Sequence, residues 1–260
     1  MTSPSRRAFV TGAAAIPLAT VLANPLLAQQ RAAETRPASI TTRRARKDVL
    51  GALAMPRQGR PRPTVLLIHE WWGLNDQIRT MAAEFADHGY IALAADLYDG
   101  RVGASRDENM TLMNAVDPEM ATDTLVSWVE WLRSLESGNG RVATIGWCFG
   151  GAWSLNASLA TPVDATVIYY GNVTKTAKQL EPLAGPVLGH FATQDKFIDH
   201  EMVCGFEAAL IEAGKTFTHH WYTADHAFAN PTGANYDSED AQLAWQRTRE
   251  FLAQHLATDA

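Results

Sequence analysis

Val142-Ala143-Thr144-Ile145-Gly146-Trp147-Cys148-Phe149-Gly150-Gly151 decides the fold of this chain. An apolar run ends at Gly146, and a helical pattern, Ala152 to Leu159, follows Gly151. The stretch reads as strand, tight turn, helix, with a nucleophile-capable side chain at the apex and glycines two residues to either side. That is the spacing of the nucleophile elbow, G-x-S-x-G, with cysteine in place of serine. The apex of such a turn is strained and neighbouring backbone passes close by, which calls for glycine at the flanks. The helix that starts there aims free N–H groups and the positive end of its dipole at Cys148, favouring a thiolate. The competing reading is a buried structural cysteine in a glycine-rich turn.

Outward from the elbow, strand and helix patterns alternate. Val49 to Ala54 reads as an edge strand, and Thr64 to His69 and Tyr90 to Ala95 as buried strands. Ala165 to Tyr170, Pro186 to Phe191 and Thr216 to Tyr222 complete the strands, with helical patterns such as Gln77 to His88, Pro118 to Ser134, His200 to Ala213 and Glu239 to Leu256 between or after them. Unbroken apolar strands alternating with helices predict an α/β fold, a mainly parallel central sheet with helices on both faces. In such sheets, ligands bind outside the carboxyl ends of the strands, so functional residues are expected just after strands.

The chain has 260 residues, 47% hydrophobic and 19% charged, as for one globular α/β domain. Its net charge of −6, with no basic block beyond Arg43-Arg44-Ala45-Arg46-Lys47, gives no support to nucleic-acid binding. At the N-terminus, Ser5-Arg6-Arg7-Ala8-Phe9-Val10 precedes a modest apolar stretch broken by Pro17. This resembles a bacterial twin-arginine export signal and implies the twin-arginine machinery as a partner and a periplasmic or secreted location. Residues 1–28 are read as this signal, with cleavage after Ala28 or Ala23, residues 29–45 as a flexible leader, and residues 46–260 as a single domain. No other segment reads as membrane-spanning. The two cysteines, Cys148 and Cys204, could form a disulfide in an oxidising compartment, which is the rival to catalysis.

A cysteine nucleophile needs a base, and the base needs an orienting carboxylate, in the chain order nucleophile, acid, histidine. His226 lies just past the strand ending at Tyr222 and is the expected base. Asp195 follows the Pro186 strand and is the expected acid. Backbone N–H groups of Phe149 and of Trp71, in the turn after the Thr64 strand, are expected to form the oxyanion hole. Glu70 is the unusual neighbour, since an acid there repels developing negative charge unless partnered, and the Cys148 thiol is its natural partner. A thiolate attacks activated acyl carbons readily but leaves more easily than an amine, which favours esters, lactones and thioesters over amides. Trp71, Trp72, Trp147, Phe149 and Trp153 are expected to form an apolar or aromatic pocket, with core packing as the alternative. A metal site from His219, His220, Asp225 and His226 is disfavoured, because strand alternation points the first two to opposite faces. A non-catalytic ligand-binding protein of the same fold is the other alternative.

The runs His69-Glu70-Trp71-Trp72-Gly73-Leu74-Asn75, Ala95-Asp96-Leu97-Tyr98, Gly146 to Gly151, Tyr169-Tyr170-Gly171, Gln194-Asp195 and His226-Ala227-Phe228 resemble the dienelactone hydrolase family in the same order, from about Val49 to Leu256. The resemblance implies an α/β-hydrolase fold, a Cys-His-Asp triad at Cys148, His226 and Asp195, and no cofactor or metal. It also implies a glutamate, here Glu70, that contacts the resting thiol and helps activate it. Members that cleave dienelactones carry a carboxylate-binding arginine shortly after the histidine. Asn230 stands at that position here, as a candidate substrate contact, and a second family arginine is matched loosely by Arg106.

Overall fold

The computed structural model describes residues 20–21, 24–57 and 61–257. The twin-arginine motif lies outside the described residues. The chain runs α1 (Pro25–Ala32), β1 (Arg36–Thr41), β2 (Asp48–Ala54), β3 (Arg62–Ile68), α2 (Asp76–Asp87) and β4 (Ile91–Ala95). It continues with α3 (Arg106–Asn114), α4 (Pro118–Ser134), β5 (Gly138–Trp147), α5 (Phe149–Ala160) and β6 (Ala165–Tyr169). The last elements are α6 (Ala177–Leu180), β7 (Val187–Ala192), α7 (His200–Glu212), β8 (Phe217–Tyr222) and α8 (Ser238–Leu256).

The eight strands form one sheet in the order β1-β2-β4-β3-β5-β6-β7-β8. From β4 to β8 every pairing is parallel, and β1 and β2 are joined antiparallel. Both faces are covered, and the two-residue period of the strands sorts the core. Val65 and Leu67 of β3 pack with Ile78 and Phe85 of α2 and Leu252 of α8. Leu66 and Ile68 face the other way, onto Leu125 and Trp128 of α4.

Two sequence expectations change. First, β2 is not at the edge, because β1 pairs with it along Arg36↔Leu53 to Thr41↔Asp48. Second, residues 29–45 are not a free leader. Alternate residues Ala38 and Ile40 of β1 turn inward onto the α4 side of the core. The turn that follows is held by α4. Arg44 N–H and Ala45 N–H donate to the Asp123 carboxylate, and Arg43 N–H donates to Ser127 Oγ. These donors hold the Asp123 carboxyl below its usual range against the opposing effect of burial.

α1 lies ahead of this strand. Asn24 caps it by accepting from Leu26 N–H and Leu27 N–H, and Pro25 opens it. It packs on α2 through buried Ala28 and Ala32, and Thr80 Oγ1 donates to the Ala28 carbonyl at 3.0 Å. Arg31 pairs with Glu34, Glu84 and Asp87. A cut after Ala28 would divide this docked helix, whereas one after Ala23 leaves its cap intact.

Candidate active site

The elbow forms between β5 and α5. Cys148 has φ 53° and ψ −115°, a left-handed backbone held in place by its surroundings. Its N–H donates to the Tyr169 carbonyl at 3.0 Å. The flanking glycines follow from close backbone approach rather than from their own φ. A Cβ on Gly146 would lie 1.9 Å from the Gly150 oxygen, and one on Gly150 would lie 2.1 Å from the Ile68 oxygen. Beneath the turn, a buried hydroxyl ladder ties α5 to the sheet. Ser154 Oγ donates to the Val167 carbonyl or to Thr144 Oγ1, Thr144 Oγ1 meets Ser158 Oγ, and Thr166 Oγ1 donates to Ser158 Oγ.

Three loops at the carboxyl edge bring the expected side chains together. Asp195 follows β7, His226 follows β8, and Cys148 follows β5. His226 Nε2 lies 3.1 Å from Cys148 Sγ, and His226 Nδ1 lies 2.6 Å from Asp195 Oδ2. Asp195 Oδ1 is occupied separately, accepting from Phe197 N–H at 2.8 Å and Ile198 N–H at 3.1 Å. The carboxylate accepts from Nδ1–H, which leaves Nε2 facing the sulfur. Burial alone would lower the His226 pKa, but its hydrogen bonds to Asp195 and Cys148, with their charges, outweigh that and raise it to about 10. The same two contacts favour the protonated ring, which would donate at both nitrogens.

Glu70 sits in the turn after β3 and is 2% exposed. It does not take the expected partner. Its Oε1 accepts from Tyr170 OH at 3.2 Å and its Oε2 from Asn230 Nδ2 at 2.5 Å, while the sulfur is engaged by His226. Burial raises the Glu70 pKa to about 7, although the Asn230 and Tyr170 hydrogen bonds and the His226 charge pull it down.

Asn230 is likewise 2% exposed. Its Oδ1 accepts from Thr232 N–H at 2.9 Å and Thr232 Oγ1 at 2.7 Å, which fixes the amide with its NH₂ toward Glu70. The amide thus supports Glu70 from behind, with its oxygen taken up by Thr232.

The aromatic expectation divides in two. Trp71 and Trp72 are half-buried at the edge, packed edge to face with centroids 5.4 Å apart. Trp147 and Trp153 belong to the core. Trp147 lies against Tyr169 at 5.6 Å, and Trp153 lies behind Phe149 at 6.2 Å. The disulfide alternative is excluded, since Cys148 and Cys204 are both free and Cys204 is exposed on α7 beside His200. Of the residues considered for a metal, His219 faces Glu207 and His220 stacks on buried His190.

Three buried residues around the site had no role assigned from sequence. His69 accepts from Leu97 N–H at Nε2, which puts the ring proton on Nδ1, where it donates to the Glu70 carbonyl at 2.6 Å. It thereby fixes the peptide between Glu70 and Trp71. Tyr170 has φ 36°, and its ring packs 5.2 Å from His226 while its hydroxyl holds Glu70. Burial raises the Tyr98 pKa, the nearby sulfur adds to this, and its buried hydroxyl has no partner among the described residues. Tyr98 follows β4 at the same edge as the triad, and that position was its one signal in the sequence.

The sequence profile of the Dienelactone hydrolase family matches residues 49–256. The carboxymethylenebutenolidase of Pseudomonas putida is 30% identical over 219 residues, covering 78% of this chain and 90% of the relative. Carboxymethylenebutenolidase 1 of Cupriavidus pinatubonensis is 28% identical over 201 residues, covering 74% and 86%. Among solved structures, a dienelactone hydrolase-like promiscuous phosphotriesterase from metagenomic libraries superposes with a TM-score of 0.77. It is 21% identical and covers 86% of this chain and 100% of that one, a likeness of fold. The chain therefore belongs to the dienelactone hydrolase family and has the α/β-hydrolase fold.

Proposed function

We propose that this hydrolase cleaves an ester or lactone through Cys148, His226 and Asp195. The observation that carries the reading is the continuous hydrogen-bonded chain from Sγ through both ring nitrogens to a buried carboxylate. Sulfur attacks the acyl carbon, and the carbonyl oxygen gains the negative charge. Phe149 is the first residue of α5, so its N–H is one of the helix's unpaired donors, and it holds the oxyanion together with Trp71 N–H. As the acyl–oxygen bond breaks, imidazolium Nε2–H protonates the departing oxygen. The ring, now neutral, takes a proton from water. The resulting hydroxide equivalent attacks the thioester and releases the acid, and the sulfur leaves as thiolate. Asp195 keeps the ring oriented and stabilises its charged form.

Glu70 acts on this pair without touching the sulfur. When ionised it favours the His226 imidazolium, and Tyr170 and Asn230 keep it in place. The name carried by the relatives, carboxymethylenebutenolidase, supports lactone or ester chemistry. The twin arginines Arg6 and Arg7 support export to the periplasm or beyond.

Cys148→Ala tests the assignment. The folded variant should lose activated aryl ester hydrolysis by at least about 10³-fold. Wild-type protein quenched during turnover should carry the acyl mass on the peptide containing Cys148. Turnover undiminished in the variant would refute the nucleophile.

A further inference from the structure

We propose that Phe197 determines specificity by taking the apolar leaving group of the ester or lactone, an inference that rests on the nucleophile assignment above. Phe197 is a large aromatic side chain left 69% exposed, two residues after the triad acid. Its ring lies edge-on to His226, with centroids 5.3 Å apart and planes at 72°. Tyr170 packs on the same imidazole at 5.2 Å but is fully buried, so of these two neighbours Phe197 is the one that faces water.

The backbone that carries the ring is also held in place. Phe197 N–H and Ile198 N–H both donate to Asp195 Oδ1, and Asp195 Oδ2 holds His226. One carboxylate thus fixes the proton donor and the loop that carries the ring. A wall held this way costs little ordering on binding.

The chemistry decides which part of the substrate meets it. The leaving oxygen must come within hydrogen-bond reach of His226 Nε2 to receive its proton, roughly 3 Å. Atoms attached to that oxygen then lie beside the imidazole and against Phe197. The acyl carbon stays at the sulfur, with its oxygen toward Phe149 and Trp71 N–H. Phe197 therefore reads the alcohol or phenol side of an ester, or the carbon on the ring oxygen of a lactone, and not the acyl chain. Covering a third to a half of one aromatic ring is worth about tenfold in kcat/KM.

The test compares wild type, Phe197→Ala, Phe197→Leu and Cys148→Ala on two series. In the first, the acetyl group is constant and the alcohol is methyl, butyl, phenyl or 1-naphthyl. In the second, the leaving group is 4-nitrophenol and the acyl chain runs from acetyl to hexanoyl. Phe197→Ala should lower the naphthyl-to-methyl ratio of kcat/KM about tenfold, mainly through KM, and Phe197→Leu should restore most of it. The hexanoyl-to-acetyl ratio should change less than about twofold, because the acyl chain lies away from the ring. A uniform loss across the alcohols, or a loss that follows acyl length, would overturn this inference and leave the nucleophile standing. Activity retained in Cys148→Ala, or no hydrolysis of either series by wild type, would overturn both.

Discussion

Glu70 shows how much a single residue can owe to its surroundings. Its folded pKa of about 7 lies above the 4.5 of an unburied glutamate, so the folded state binds this proton more tightly than the unfolded state. The resulting stability is complete below pH 4.5, declines as pH rises, and is lost on passing through about 7. Above that, the buried charge is a cost. Glu70→Gln removes the titration, so its stability relative to wild type should rise between pH 4.5 and 8 by on the order of 3 kcal/mol. Thermal or urea unfolding of both proteins at pH 4.5, 6 and 8 measures this, and a difference constant with pH would show that Glu70 does not titrate in that window. His226 has the same sign in a higher window, its contribution being complete below 6.5 and lost as pH rises through about 10. The sequence marked Glu70 as an acid out of place beside an oxyanion hole. It could not name the partner, because Asn230 reaches it from 160 positions away.

The elements that build the site are the strand–helix unit of β5 and α5 and its neighbours. The hydroxyls of Thr144, Ser154, Ser158 and Thr166 are fully or almost fully buried, and they satisfy one another and the backbone between β5, α5 and β6. Ser154→Ala removes the donor that reaches β6 and leaves the Val167 carbonyl one partner short in a dry site. It should cost about 1–3 kcal/mol in urea unfolding. Because Ser154 lies on the helix that begins at Phe149, kcat should also fall if the ladder aligns the oxyanion donor. A loss below a few tenths of a kcal/mol would show that the ladder is slack. The unit was legible because strand, glycine spacing and helix all agree. β1 was not, because Arg36-Pro37-Ala38-Ser39-Ile40-Thr41 carries weak alternation and a proline. It becomes a strand because β2 offers an open edge and Asp123 captures the turn between them. Trp147 and Trp153 were read as pocket for a related reason. Trp147 ends a strand buried on both faces and Trp153 lies on the mostly apolar α5, so neither pattern reveals which way the ring turns.

The described residues form one sheet with helices on both sides, and α1 and β1 are integral to it. α1 and β1 dock on α2, β2 and α4 through buried alanines, backbone pairing and ion pairs. Twin-arginine export carries folded proteins, and Arg6 and Arg7 precede this docked region in the chain. Replacing Arg6 and Arg7 by lysines should keep the protein in the cytoplasm, as fractionation of a bacterial host would show. N-terminal sequencing of the exported form should begin at Asn24, preserving the helix cap. An exported chain beginning at Gln29 would mean that half of α1 is dispensable. The residues themselves were sufficient for the fold class, and they pointed to Cys148, His226 and Asp195 as side chains that meet at one edge of the sheet. Each is tied to a strand end, and strand ends follow from local pattern and chain order. The tertiary structure alone decided the partner of Glu70, the burial of Asn230, the core placement of two tryptophans and the exposure of Phe197. Those depend on which distant segments meet across the edge of the sheet, and contact between distant segments leaves no periodic trace along the chain.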